Sequence, residues 1–253
     1  MQVRVNLQEG QELFLLKTKD NPVNRIRNTV LIRSVGDKAT YQMQLTFKVQ
    51  YFLLLLYLGG FIMRAVITGA TGGIGGATAE ALGRAGYEVI ITGIDIEAGK
   101  KVIDKLESQG IKVHFYACDA TNEEQVNETF AKIGEEFGSL DLLVNNVGGL
   151  GGRQRVSEME TGFMRKVMAL NFDSVFFNTR AALPLLKKGK DASIINFSTI
   201  AVTSGAGIGA SIYAASKGAV QSYTRALAKD LAEFASAQHG FSRHHRHCLP
   251  RCD

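Results

Sequence analysis

Between residues 65 and 235 short apolar β-runs alternate with helical stretches, and no other property of the chain restricts its fold as strongly. The runs are Ala65-Val66-Ile67-Thr68, Glu88-Val89-Ile90-Ile91-Thr92, Lys112-Val113-His114-Phe115-Tyr116, Asp141-Leu142-Leu143-Val144-Asn145 and Ala192-Ser193-Ile194-Ile195-Asn196. Helical patterns fill the gaps over residues 74–85, 97–108, 122–137 and 160–186, and a last one covers 213–235. Apolar runs joined through helices imply right-handed crossovers and a parallel sheet covered on both faces, so the expected class is α/β with a doubly wound sheet. Ligands of such sheets sit at the carboxyl ends of the strands. Gly69, Asp119, Asn145, Ser198 and Thr199 all fall at such ends.

Composition narrows the partners. With 253 residues and 45% hydrophobic content the chain can bury a full core. Three cysteines make no disulfide framework and point to a reducing, cytoplasmic compartment. The net charge of +5 is unevenly placed: residues 1–62 hold eight Lys/Arg against four Asp/Glu, and the tail from Phe241 three against one. That leaves residues 63–240 with 18 basic and 19 acidic groups, hence no basic face for a nucleic acid.

The flanks depart from the central pattern. Residues 41–51 alternate apolar and polar side chains, the period of a half-buried strand. Residues 52–58 are continuously apolar, too short for the about 18–20 residues of a membrane span and too far from the N-terminus for a signal peptide. A membrane-surface role is one reading of this stretch. The preferred one makes residues 1–62 an atypical extension, since Met63 could begin a conventional domain by itself.

Two strings carry the chemistry. In Thr68-Gly69-Ala70-Thr71-Gly72-Gly73-Ile74-Gly75, glycines 69, 73 and 75 lie between a strand and a helix. Glycine lets the backbone approach a pyrophosphate closely, and the helix start offers free N–H groups and positive dipole. A tight turn needing glycine for its conformation alone is the competing reading. In Tyr213-Ala214-Ala215-Ser216-Lys217, a phenol and an ammonium stand one helical turn apart on the same face.

These strings, with Asn145-Asn146-Val147-Gly148 and Asn171, resemble the short-chain dehydrogenase/reductase family over about residues 63–235. The resemblance implies a Rossmann-like domain over 63–237 and hydride transfer between a nicotinamide cofactor and an alcohol or ketone. It also implies a homo-oligomer in the full-length form. Tyr213 would be the general acid/base and Lys217 would lower its pKa and hold the nicotinamide ribose, because a free phenol with pKa near 10 is a poor base at neutral pH. Asn171 would hold a relay water. The substrate-orienting hydroxyl would be Thr199, with Ser198 as the alternative, and the extra residue before Tyr213 is assigned to the 205–209 loop. The cofactor set would comprise Gly69, Thr71, Gly72, Gly73, Ile74, Gly75, Asp95, Asp119, Ala120, Asn145, Val147, Gly148, Tyr213 and Lys217. Val147 departs from the family's usual alanine and adds two methyls beside the cofactor.

Cofactor choice is read where the second strand ends. The family's acidic position is Gly93 here, and no arginine follows to accept a 2′-phosphate. Asp95, two residues later, could reach a ribose, so NAD is favoured and NADP stays possible. Asp119 resembles the family's adenine-contacting aspartate, although a helix N-cap is the competing reading.

After the last helix the resemblance ends. Residues 238–253 carry four histidines beside Cys248 and Cys252 where the family has a sixth strand. The spacing fits no zinc module, so no metal is expected. A one-base shift in the coding frame would turn this tail into a β-branched strand ending in Pro-Gly. The last two strands are therefore expected to be missing, leaving the 192–197 strand with a bare, aggregation-prone edge. The function alternative is a catalytically inactive nucleotide-binding remnant or fragment.

Overall fold

A computed structural model describes residues 62–237, with side chains to 232, and, before them, the backbone of four strands. These are β1 (Gln2–Asn6), β2 (Gln11–Leu15), β3 (Ile26–Ser34) and β4 (Thr40–Gln44). Then β-strands and helices alternate: β5 (Arg64–Ile67), α1 (Gly73–Arg84), β6 (Glu88–Gly93), α2 (Ile96–Glu107), β7 (Val113–Ala117), α3 (Glu123–Phe137) and β8 (Leu142–Asn145). Helix α4 (Thr161–Met168), α5 (Ser174–Leu186), β9 (Ala192–Phe197), the short α6 (Ala201–Ser204) and α7 (Ser211–Ala237) complete the described chain.

Strand order in the main sheet is β2-β3-β9-β8-β5-β6-β7. The five strands from β9 to β7 are parallel, with Val66 opposite Leu143 on one side and Ile90 on the other. Because the chain leaves β5 in one direction through β6 and β7 and then returns to β8, the order reverses between β5 and β8. That reversal opens the crevice in which such sheets bind ligands.

Period-2 alternation divides the core between two faces. Ala65, Ile67, Val89 and Ile91 pack on one side against Ala79 and Leu82 of α1 and Leu106 of α2. Val66, Ile90, Leu143 and Ile194 pack on the other against Phe130 and Ile133 of α3, Leu186 of α5 and Leu227 of α7. Both faces of each central strand are thereby covered, which is why the runs read as continuously apolar.

Two expectations need correcting. The 192–197 strand has no bare edge: β3 lies parallel beside β9, with Val30 opposite Ile195, and β2 pairs antiparallel outside it. A place between two strands calls for a continuous apolar run, which Val30-Leu31-Ile32 supplies and the alternating 41–51 segment does not. Residues 41–44 of that segment, with Thr40 before them, pair with β1 in a separate two-stranded sheet. The rest of it, the 52–58 run and the 238–253 tail lie outside the described residues. The predicted single helix over 160–186 is also interrupted: one π-helical turn, Ala169–Asp173, separates α4 from α5.

Candidate active site

Four strand ends meet at the crevice. The turn after β5 takes its shape from Gly69 (φ +62°) and Gly73 (φ +55°), a left-handed region that side-chain-bearing residues rarely adopt. Gly75 is required for a different reason. A Cβ there would stand 2.6 Å from Asn146 Nδ2 and 2.7 Å from the Gly69 carbonyl oxygen. Asn146 holds this turn: its Nδ2 donates to the carbonyls of Thr68 (3.0 Å) and Gly69 (2.9 Å), and its own N–H donates to Thr68 Oγ1 (3.0 Å). Sequence reasoning missed that role, although the pair Asn145-Asn146 was the available signal.

Whether a dinucleotide fits can be judged from the turn itself. A Cβ on Gly72 or Gly73 would meet nothing within 4 Å, so the cradle is open where a phosphate would lie. Helix α1 starts with no side-chain cap and no acidic residue in its first turn, whereas α2 and α3 are capped by Asp95 and Asn122. Uncapped amides at a helix start suit an anion. Val147 Cγ2 would stand 2.8 Å from a Cβ on Gly69, so the valine packs directly on the turn.

Several of the predicted cofactor residues are engaged in hydrogen bonds within the chain. Asn145 is buried, and its Nδ2 donates to Thr179 Oγ1 (3.0 Å) and Asn196 Oδ1 (2.8 Å). Asn196 in turn donates to Thr224 Oγ1 at 2.9 Å, so these amides tie β8 and β9 to α5 and α7. Asp95 is exposed and accepts the Ala98 N–H at 2.9 Å as the N-cap of α2. Asp119 caps no helix. Its Oδ1 accepts from the N–H (2.9 Å) and hydroxyl (2.8 Å) of Thr121, and Asn122 is the cap of α3. Ala120 is buried beneath this bend.

Two of the proton-transfer candidates, Lys217 and Asn171, converge on Gly148. Its φ of +155° admits glycine, and a Cβ there would stand 2.7 Å from Lys217 Nζ and 2.8 Å from Asn171 Oδ1. Lys217, 4% exposed, donates from Nζ to the Phe197 carbonyl at 3.0 Å, and burial brings its pKa down to about 8. Asn171, fully buried in the π turn, donates from Nδ2 to the carbonyls of Gly149 (2.8 Å) and Val167 (3.0 Å) and accepts the Gly149 N–H (2.9 Å). Tyr213 is half-buried in the first turn of α7, one turn before Lys217. Thr199 Oγ1 accepts the Ala201 N–H at 3.2 Å, while Ser198 Oγ donates towards the Lys217 carbonyl at 3.4 Å. Among the described residues no cluster of His, Cys, Asp and Glu could hold a metal ion, and no helix is long and apolar enough to cross a membrane.

The family model described as short chain dehydrogenase matches residues 63–235, the span that builds this crevice. This chain belongs to the short chain dehydrogenase family. It is 38% identical over 180 residues to a 3beta-hydroxysteroid dehydrogenase of Mediterraneibacter gnavus, covering 69% of this chain and 64% of that protein. It is 36% identical over 169 residues to a cyclopentanol dehydrogenase of a Comamonas species, covering 67% of each. Among solved structures, an NADH-dependent reductase complexed with NAD matches with a TM-score of 0.65 at 33% identity, covering 69% of this chain and 74% of that one. The chain thus spans about two thirds of the curated relatives it matches. The matched span runs from the strand before the glycine turn to the helix that carries Tyr213 and Lys217.

Proposed function

We propose that the chain is an NAD(P)-dependent oxidoreductase that interconverts an alcohol and a ketone, with NAD as the principal cofactor. One observation carries the reading: Gly148, Asn171 and Lys217 close into one knot in which no Cβ fits. The loop after β8, the buried ammonium and the relay asparagine are thereby locked together. The names of both curated relatives specify a hydroxyl on a ring carbon, which supports a secondary alcohol as substrate class.

Gly69, Gly72, Gly73 and the first amides of α1 would hold the pyrophosphate, and Gly148 and Lys217 the nicotinamide ribose. The nicotinamide, when bound, supplies or accepts the hydride. Tyr213 gives the proton to the substrate oxygen in reduction and takes it in oxidation. Lys217 is an ammonium below about pH 8, and its charge in a dry site favours the tyrosinate form of Tyr213. Thr199 Oγ1 accepts from Ala201, which leaves its own proton to donate to the substrate oxygen. Both amide hydrogens of Asn171 are engaged. A relay water would therefore sit on its main-chain carbonyl, within the π turn that departs from the regular helical ladder.

A cytoplasmic location and assembly into a homo-oligomer belong to the same reading. The free, buried Cys118 thiol agrees with the former, and size-exclusion chromatography with light scattering tests the latter. The decisive experiment titrates the purified chain with NADH by cofactor fluorescence, then assays ring ketones for NADH oxidation. Binding with turnover that Tyr213→Phe abolishes is the expected result. No binding refutes the oxidoreductase reading, and binding without turnover for any ketone supports the inactive remnant instead.

A further inference from the structure

Two loops border the side of the crevice that carries Tyr213, and one side chain ties them together. The first follows β8 and Gly148, and the second, residues 205–210, leads into α7. The Gln154 N–H donates to the Gly209 carbonyl at 3.0 Å, and Arg153 Nη1 donates to the Ile208 carbonyl at 2.9 Å. Glycines make room for both contacts. A Cβ on Gly207 would stand 3.2 Å from Arg153 Nη1, and one on Gly209 (φ +77°) 3.1 Å from Arg153 Cβ. The guanidinium therefore lies against the main chain of the second loop.

The first loop is itself held from behind by α4. A Cβ on Gly151 would stand 3.0 Å from Val167 Cγ2, and one on Gly152 3.2 Å from Phe163 Cε2. Gln154 Oε1 accepts the Glu160 N–H at 3.2 Å. Arg153 is thus fixed at both ends and yet exposed. The Ala214 N–H donates to the Ala210 carbonyl at 3.0 Å, so the ladder of α7 starts directly after Gly209. Tyr213 follows Gly209 by about one helical turn, roughly 5.4 Å of rise.

The charge of Arg153 is left unpaired. Of its five N–H donors one goes to Ile208, and among the described residues no hydrogen bond engages Nε or Nη2. Arg64, Arg84 and Arg180 each hold a glutamate, whereas among the described residues no carboxylate pairs with Arg153. The edge formed by Nε and Nη2 presents two parallel N–H groups, which suit a carboxylate bidentately. Val156 and Ile208 on the same two loops are exposed and apolar, and they offer contact to a ring beside the cation.

We propose that Arg153 is a specificity-determining residue that binds a carboxylate carried by the substrate. The preferred substrate is then an anionic ring ketone, or the matching hydroxy acid, rather than a neutral one. The inference rests on the oxidoreductase reading above and names the substrate class of that site. Exposed ion pairs are weak where two long side chains must be ordered. Here Ile208 and Gly207 already order the guanidinium, so less freedom is lost when the anion binds.

The test compares 4-oxocyclohexanecarboxylate with its neutral carboxamide of the same size, using the full chain and NADH. Parental kcat/KM should favour the carboxylate at least about tenfold, equivalent to about 1.4 kcal/mol. The preference should fall with added salt and reside in KM, since Arg153 touches a substituent and not the reacting carbon. Arg153→Gln should bring the ratio to within about twofold of unity, since it removes the charge. Arg153→Lys should fall between, because an ammonium keeps the charge without the fork. Arg153→Glu should reverse the preference. Tm should stay near parental in all three, the side chain being exposed.

Equal efficiency with both ketones in the parental chain overturns the inference and leaves the oxidoreductase reading standing. A carboxylate preference that survives Arg153→Gln and Arg153→Glu also overturns it. Absence of NADH binding refutes the oxidoreductase reading instead. Calorimetric titration of carboxylate and carboxamide into the chain, with and without NADH, then decides the role of Arg153 by itself. Selective carboxylate binding lost in Arg153→Gln upholds it, and equal or undetectable binding of the two rejects it.

Discussion

Replacing Lys217 by methionine should stabilise the folded chain while removing its turnover. The ammonium is buried, its one hydrogen bond among the described residues goes to the Phe197 carbonyl at 3.0 Å, and burial lowers its pKa from 10.5 to about 8. At about 1.4 kcal/mol per factor of ten, that depression means the folded state holds the charged form at a cost of about 3 kcal/mol. Methionine keeps the unbranched stem and removes the charge, but it forfeits the ammonium's hydrogen bond to the Phe197 carbonyl at a cost of about 1–3 kcal/mol. The balance at pH 7 is a gain of about 0–2 kcal/mol, which raises Tm by up to about 4–8 °C for a chain of this size.

The pH dependence supplies the sign. Between about pH 8 and 10.5 the unfolded lysine binds more protons than the folded one, so parental stability from this group rises with pH across that window. It is fully present above 10.5 and lost as pH falls through 8. The Tm advantage of Lys217→Met should therefore shrink steadily from pH 8 towards pH 10.5. Differential scanning fluorimetry of both proteins at pH 7, 8.5 and 10 reads this directly, with NADH-linked turnover alongside. A Tm loss of more than about 4 °C at pH 7, or an advantage independent of pH, would show that the ammonium stabilises the fold and that the burial argument is wrong.

Further outcomes follow from the same geometry. Tyr213→Phe should lower kcat by about 10²–10⁴-fold with NADH affinity changed less than about threefold, and a variant keeping a tenth of parental kcat would remove Tyr213 from proton transfer. Gly75→Ala drives a methyl into Asn146 Nδ2 and the Gly69 carbonyl. Overpacking of this kind costs about 1–3 kcal/mol, and dinucleotide affinity should fall at least about tenfold; affinity within twofold of parental would contradict the part assigned to this turn. Ile94→Arg, at a side chain 73% exposed, should leave Tm unchanged and strengthen NADPH over NADH, as titration of both nucleotides would show. An unchanged ratio would place the ribose elsewhere.

Much of this protein is legible without coordinates. Buried parallel strands need apolar runs, crossovers need helices, and both are local signals, so all five central strands and their helices lie within a residue or two of where the periodicity puts them. The glycine turn is equally local, because a positive φ at Gly69 and Gly73 is a property of the backbone itself. What a buried side chain at a strand end does is not local. Asn145 carries the chemistry of a ligand contact, yet packing turns it towards Thr179 and Asn196, 34 and 51 residues away, whereas the partners of Asp95 (Ala98) and Asp119 (Thr121) lie within three residues. Tertiary structure likewise decided that β3 takes the edge of β9, that a π turn interrupts the helix at Asn171, and that Arg153 reaches the Ile208 carbonyl. The division has one physical reason: backbone conformation answers mostly to a residue's immediate neighbours, whereas the partner of a buried polar group such as Asn145 is whatever distant segment the assembled sheet brings within about 3 Å of it.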